Sequence, residues 1–202
     1  AMSEGWLQPR GIYGYWPAQS EGNELIIYDP DSLQGRNPRE LTRFGFPRQE
    51  SGDFLCLADY FAEVGSGIMD TVALQVVTVG ENATRRFDAL QAGHDYTEAY
   101  FTHGLAVQTA EATADYLHRH IRRELGLSTE QGKRYSCGYP SIPELADHRK
   151  VFELLPARQE LGMALTPACQ LMPEQSTAAI ILHHPDARYF NIGETRLDQL
   201  MR

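Results

Sequence analysis

The sequence predicts an α+β fold built on an antiparallel sheet. Segments with strand character occupy the first third of the chain, helical segments fall between residues 84 and 155, and strand character returns near the end. Strands grouped in this way do not alternate with helices, as the βαβ units of a parallel sheet do. The length of 202 residues fits a single domain with a buried core.

The first third of the chain contains a predicted hairpin and a predicted buried strand. Residues 11–16 (GIYGYW) and 24–28 (ELIIY) are aromatic and β-branched, and the turn-forming residues 20–23 (SEGN) separate them. Residues 71–79 (TVALQVVTV) are almost continuously apolar. This pattern favours a strand that is buried on both faces.

The middle of the chain is predicted to be helical. Residues 84–126 lack proline and carry apolar side chains at helical spacing, so they predict a helical hairpin or one broken helix. Gly93 is the expected break and Gly126 the expected stop. A further helix is expected to begin in residues 141–144 (SIPE), a capping sequence with proline in the first turn, and to run to about Leu155.

The end of the chain is predicted to return to the sheet. Residues 177–182 (TAAIIL) and 188–192 (RYFNI) have strand character, and residues 184–187 (HPDA) form a turn between them. A short terminal helix is expected to begin at Glu194.

Composition and charge disfavour several classes of function. The 27 acidic and 18 basic residues give a net charge of −9, which would repel a nucleic-acid backbone. No apolar stretch approaches the roughly 20 residues that span a bilayer, and the first residues lack the features of a secretory signal. We therefore expect a cytoplasmic protein with no nucleic-acid or membrane partner.

The cysteines and histidines predict no metal site. Cys56, Cys137 and Cys169 are odd in number and far apart, which favours reduced, mostly buried thiols over disulfides or a zinc site. The adjacent histidines at 183–184 and the H-x-H at 118–120 lack further ligands at a suitable spacing.

Two glycine-containing segments are candidates for ligand binding. Residues 63–67 (EVGSG) are similar to the glycine-rich turn of class I methyltransferases, but a strand follows them instead of a helix, which favours a simple turn. Residues 133–140 (KRYSCGYP) combine an arginine, two tyrosines and a glycine in a predicted loop. Arg134 could pair with a carboxylate, Gly138 permits close approach, and the tyrosine rings could contact an adenine or a sulfonium.

Short motifs distributed over nearly the whole chain resemble those of the activation domain of cobalamin-dependent methionine synthase. The longest is RYSCGYPSIPELADHRKVFELL at residues 134–155, which is similar to the R-x-x-x-G-Y-P-x-x-P loop of that family and its following helix. The others recur in the same order as in the family: GYWPA (14–18), CLADY (56–60), HDY (94–96), AEA (110–112), YLH (116–118), GMALT (162–166) and HPDARY (184–189). The resemblance implies one C-shaped α+β domain over residues 1–202, with long helices packed on a twisted antiparallel sheet.

The resemblance also implies a shallow groove for S-adenosylmethionine. Arg134 matches the residue that binds the ligand's carboxylate, and Glu111 matches an acid near its amino or sulfonium end. Ser136 matches a backbone contact, and Tyr139 lies alongside it. Tyr189 and Phe190 match a Tyr-Tyr pair near the adenosyl group, so one hydroxyl is absent here. We expect no catalytic and no metal-binding residue in this domain.

Family domains carry additional helical sequence before the point at which this chain begins, with an Asp-Trp segment that supplies a further aspartate to the ligand. We therefore expect the chain to lack this helical segment and its groove to be incomplete.

The function implied is reactivation within a cobalamin-dependent methyltransferase, 5-methyltetrahydrofolate–homocysteine methyltransferase, in methionine biosynthesis. One electron and a methyl group from S-adenosylmethionine would restore oxidised cobalamin by reductive methylation. Cobalamin, and zinc in the homocysteine site, would lie on other domains of the same polypeptide. The cobalamin-binding domain and a flavodoxin or flavin reductase are the expected partners, and the domain is not expected to turn over alone. Two alternatives remain: a docking or regulatory module without ligand binding, and a small class I methyltransferase.

Overall fold

The structure is a computed structural model that describes residues 5–34 and 38–193. Within them, the strands are β1 (Arg10–Glu21), β2 (Glu24–Tyr28), β3 (Glu40–Gly45), β4 (Asp70–Thr78), β5 (Lys133–Ser136), β6 (Ala164–Leu165), β7 (Leu171–Met172) and β8 (Ser176–Leu182). Six of them form an antiparallel sheet in the order β3-β2-β1-β4-β8-β5, and β6 and β7 form a separate small ribbon. The helices are α1 (Glu81–Ala92), α2 (Tyr96–Glu124), α3 (Asp147–Leu154) and α4 (Ala157–Leu161). The predicted α+β class with an antiparallel sheet is confirmed.

The predicted hairpin and the predicted central strand are both present. The β1–β2 hairpin closes with Glu21 opposite Glu24, and Gly22 takes a positive φ of 61° in the turn. Residues 10–18 of β1 pair with β4, whose side chains from Val72 onwards are all buried. Burial on both faces explains why this strand reads as a continuous apolar run.

Two strands of the six-stranded sheet, and both strands of the β6–β7 ribbon, were missed. β3 pairs only with β2, and Phe44 is its one buried side chain, so it has little strand signal. Residues 133–136, predicted as part of a loop, form the edge strand β5, which pairs with β8. A four-residue strand with two basic residues carries too little periodicity to be recognised without its partner.

The sheet buries one face in the main core and the other beneath α2. Leu74, Val76 and Ile180 are fully buried in the main core. Each such side chain contributes roughly 1.5–3 kcal/mol through removal from water. On the opposite face, Ala73 and Ile181 pack against Ile121 of α2.

The helical hairpin follows the prediction closely. α1 ends at Ala92, Gly93 follows as its C-cap, and the Asp95 side chain accepts a hydrogen bond from the backbone of Glu98 to begin α2. Gly126 follows the end of α2 with a positive φ of 68°. Small residues, mostly alanines, are buried along α2: Ala99, Thr102, Ala106, Ala110, Ala114. Of these, Ala106 and Ala110 pack in a second cluster with Trp6, Leu7, Val79 and Ala83.

The predicted start of the next helix is wrong. α3 begins at Asp147 and ends at Leu154, and residues 141–144 form no capping box. Instead, Gly138 N donates to Ile142 O at 2.7 Å, and Ile142 is fully buried. Ser141 Oγ donates to the carbonyl of Phe190 at 3.2 Å, so it is unavailable as a cap. These contacts hold residues 138–142 in a turn, so α3 begins only at Asp147.

The predicted strand over residues 188–192 is also wrong. These residues are irregular, because side chains satisfy several of their carbonyls. Tyr135 Oη donates to Arg188 O at 2.8 Å, and Gln49 Nε2 donates to Asn191 O at 2.8 Å. The terminal helix predicted from Glu194 lies outside the described residues.

Within residues 5–34 and 38–193, no helix is long and apolar enough to cross a membrane. No group of three or more histidine, cysteine or acidic side chains in these ranges is arranged to hold a metal ion. All three cysteines are free and buried, and burial raises the pKa of the Cys137 thiol to about 12.

A histidine–aspartate ion pair joins the end of β8 to the start of β4. His183 Nε2 contacts Asp70 Oδ1, and the backbone N–H groups of Ala62 and Thr71 donate to the same carboxylate. The hydrogen bond to Asp70 outweighs burial and raises the pKa of His183 above its ordinary 6.5. Burial acts to raise the pKa of Asp70, but its hydrogen bonds outweigh burial and hold it below 3.8.

We predict that this pair gives the free energy of unfolding a pH dependence. The contribution of His183 is complete below pH 6.5 and is lost as the pH rises through its raised folded pKa. The contribution of Asp70 is present above pH 3.8 and is lost as the pH falls. His183→Gln should therefore cost about 1.5 kcal/mol near pH 5.5 and less at pH 9 in urea unfolding. The exposed His94→Asn is the control. An equal cost for His183→Gln at both pH values would contradict the prediction.

Candidate functional site

A pocket of about 560 Å³ lies between α2, the edge strand β5, the turn at residues 138–142 and the segment 189–191. It is lined by Glu111, Arg134, Tyr135, Ser136, Tyr139, Pro140, Ser141, Thr177, Tyr189, Phe190 and Asn191. Its volume is within the range of small-molecule sites.

Strand alternation in β5 supplies the floor of the pocket. Tyr135 points into the main core with 4% exposure, so its neighbours Arg134 and Ser136 project from the opposite face, toward α2. Burial is the largest of the effects that raise the pKa of Tyr135. The edge position of β5 leaves the pocket open on the side away from β8.

Two carboxylates on α2 hold the guanidinium of Arg134. Nη2 lies 2.8 Å from Glu111 Oε2 and 3.3 Å from Asp115 Oδ1. The arginine side chain is 15% exposed, whereas the two acids are about half exposed. Nη1 is buried and has no hydrogen-bond partner among the described residues. The guanidinium is thus fixed on one side and retains an unused donor.

Aromatic side chains form the wall and rim of the pocket. Tyr139 follows Gly138, whose positive φ of 88° turns the chain, and the tyrosine is 67% exposed. Tyr189 is 66% exposed and its hydroxyl donates to the carbonyl of Arg134 at 3.1 Å. Phe190 packs partly against the main core. The two tyrosine rings therefore present accessible flat faces beside a cation.

All the residues predicted for the site meet in this one pocket: Glu111, Arg134, Ser136, Tyr139, Tyr189 and Phe190. Sequence reasoning missed Ser141, Thr177 and Asn191 of the lining, and also Asp115, which pairs with Arg134. The spacing of four residues between Glu111 and Asp115 on a helix was the available signal for Asp115, because such residues lie on the same face. Nothing in the sequence distinguishes Thr177, which reaches the pocket from β8.

The glycine-rich segment at 63–67 takes no part in the pocket. Gly65 and Gly67 have positive φ values of 88° and 79° in an exposed turn, and β4 follows instead of a helix. No helix N-terminus is thus available there to bind a nucleotide. The motif that suggested a class I methyltransferase therefore gives that alternative no support.

The buried His118 lies on α2, one turn beyond Ala114. Burial is the main cause that lowers its pKa to about 4, and the charges of Arg122, Arg134 and Lys133 add to the effect. The ring is therefore neutral at physiological pH, and its Nε2 has no hydrogen-bond partner among the described residues. Among the described residues that line the pocket, no nucleophile is paired with a base, so the geometry suits binding more than proton transfer.

Comparison with known proteins identifies the family. The family model described as vitamin B12 dependent methionine synthase, activation domain, matches residues 1–202. The chain belongs to this family. The activation domain is 37% identical to the methionine synthase of Mycobacterium tuberculosis over 207 residues and 35% identical to that of Mycobacterium leprae. Each match covers 90% of this chain and 17% of the relative, so the chain spans about a sixth of their length.

A solved structure gives the same fold. A crystal structure of the MetH reactivation domain bound to AdoHcy superposes on the activation domain with a TM-score of 0.85 at 31% sequence identity. The match covers 98% of this chain and 65% of that one.

We predict that Gly132, immediately before β5, is required for the pocket. It has a positive φ of 76°, and a Cβ there would lie 2.3 Å from the carbonyl oxygen of Leu182. Gly132→Ala should cost roughly 3 kcal/mol and displace β5. Gly126→Ala, with a φ of 68° and no atom within 4 Å of its Cβ, should cost about 1 kcal/mol. Chemical denaturation measures both values, and equal costs would contradict a role for the contact with Leu182.

Proposed function

We propose that this activation domain binds S-adenosylmethionine between α2 and β5 and presents its methyl group for the reductive methylation of oxidised cobalamin. The observation that carries this proposal is the convergence of Arg134, Glu111 and two exposed tyrosines in one pocket. S-adenosylmethionine has a carboxylate, an ammonium group, a sulfonium and an adenine, and each has a complementary group in this set. The AdoHcy held by the similar reactivation domain supports an adenosyl ligand.

The charges of the pocket suit the amino-acid end of this ligand. The Arg134 guanidinium offers paired N–H donors to a carboxylate, and a charge-assisted contact of this kind is strong in a partly desolvated site. Glu111 lines the pocket and is half exposed, so it can turn toward the ammonium or sulfonium group. The ligand's carboxylate would then pair with Arg134 and its cationic group with Glu111, in place of the existing Arg134–Glu111 pair. No charge would be left without a partner.

The aromatic residues suit the other end of the ligand. Tyr139 and Tyr189 present faces that can stack on adenine or contact the sulfonium through a cation–π interaction. Ser136 offers a backbone contact on the floor, and Phe190 offers an apolar surface without a hydroxyl.

Within this proposal the domain acts by positioning. Holding the methyl donor in the correct orientation can supply a large part of a rate enhancement without acid or base groups. Cobalamin would supply the nucleophilic metal centre from another domain of the same polypeptide, and zinc would serve the homocysteine site elsewhere in it. A flavodoxin or a flavin reductase would provide the electron. The openness of the pocket on the outer side of β5 leaves room for a second domain to dock.

We predict that Arg134→Ala weakens the binding of S-adenosylmethionine by about 2 kcal/mol, or roughly 30-fold. The loss is that of a charge-assisted hydrogen bond in a pocket where the arginine is mostly buried. Isothermal titration calorimetry on this chain measures it. Arg134→Lys should recover only part of the affinity, because an ammonium group lacks the planar fork.

Arg119→Ala is the matched control, because it removes the same charge from an exposed position on α2 outside this pocket. Unchanged affinity in a folded Arg134→Ala variant would contradict the proposed role of Arg134. An absence of binding by the unmodified chain, and also by a chain extended at its N-terminus, would instead favour a docking or regulatory module. Binding restored only by the extension would implicate the aspartate expected there.

A further inference from the structure

Asp115 touches Arg134 but does not line the pocket. Its Oδ1 lies 3.3 Å from Arg134 Nη2, whereas Glu111 contacts the same nitrogen at 2.8 Å and does line the pocket. The two acids are one turn apart on α2, so they reach the guanidinium from adjacent positions on one helix face. Glu111 therefore faces the pocket, whereas Asp115 meets the guanidinium from outside the pocket lining.

The Arg134 side chain has no other anchor among the described residues. Its side-chain ion pairs and hydrogen bonds within the described chain go to these two carboxylates alone, and Nη1 has no acceptor there. A long side chain of this kind loses considerable rotamer entropy when it is held in one orientation. If Glu111 turns toward the cationic part of a ligand, Asp115 is the remaining group that can keep the guanidinium in place.

Among the described residues, no cation other than Arg134 forms an ion pair with Asp115. Arg119 lies one turn further along α2, yet the structure contains no ion pair between them. The neighbouring His118 is buried and neutral at physiological pH, because burial lowers its pKa to about 4. Asp115 is about half exposed and its one ion-pair partner in the described chain is Arg134.

We infer that Asp115 is a positioning residue for ligand binding: it holds the Arg134 guanidinium in the orientation that accepts the ligand's carboxylate while Glu111 is engaged by the ligand. This inference rests on the proposed function, since it concerns the same pocket and the same ligand. Asp115 itself does not contact the ligand.

A double-mutant cycle tests this role. S-adenosylmethionine binding is measured by calorimetry for the unmodified chain, Asp115→Asn, Arg134→Ala and the double variant. Asp115→Asn should weaken binding about threefold to fivefold, a range typical of a partly exposed ion pair. In the Arg134→Ala background the same change should have almost no effect, because a residue that acts through Arg134 has nothing left to position.

Two further variants complete the test. Asp115→Glu should restore most of the affinity, since it returns a carboxylate to the same helix position. Asp88→Asn, an exposed acid on α1, makes the same change in net charge and should leave the affinity unchanged.

The possible outcomes are distinct. Full affinity in Asp115→Asn overturns the inference while leaving the proposed function intact. An equal loss in both backgrounds also overturns it, because it indicates direct contact between Asp115 and the ligand. If the unmodified chain binds no S-adenosylmethionine, alone or extended, the proposed function fails and this inference fails with it.

Discussion

The close packing of α2 on the sheet is the constraint on which the site depends. Ala114 of α2 is completely buried and its carbonyl accepts a hydrogen bond from Gln75 Nε2 of β4, while Ile121 packs on Ala73 and Ile181. On the sheet side, a Cβ at Gly11 would lie 3.0 Å from the side chain of Leu117. This short separation brings the carboxylates of α2 within ion-pair distance of a guanidinium on β5. A bulkier helix face would hold the two halves of the pocket apart.

The sequence predicted those elements whose signal is local. Continuous apolar character identified β4, and alternating turn and strand residues identified the β1–β2 hairpin. Gly93 marked the break between α1 and α2, and Gly126 marked the end of α2, because helix ends follow local backbone conformation. β3 and β5 were missed because edge strands bury few side chains, so their identity depends on partners that are remote in the sequence.

The same distinction applies to the site. The motif resemblance assembled Glu111, Arg134, Ser136, Tyr139, Tyr189 and Phe190, and the structure brings them around one pocket. It could not supply Asp115, whose contact with Arg134 requires the distance between a helix and an edge strand. The wrong helix start at Ser141 and the wrong strand at 188–192 share one cause. Ser141 binds the carbonyl of Phe190, a tertiary contact that overrides the local preference of both segments.

The backbone of segment 188–192 is anchored differently from β5, the strand that carries Arg134. It is held by side-chain donors to its carbonyls and by Glu50 N to Ile192 O, not by pairing with a neighbouring strand. Backbone carbonyls are common to all residue types, so these anchors do not dictate which side chains occupy positions 189–191. Substitution at these positions would therefore leave those anchors in place, while Arg134 is held by the register of β5 with β8. Tyr189 is the position that links the two parts of the pocket, because its hydroxyl donates to the carbonyl of Arg134.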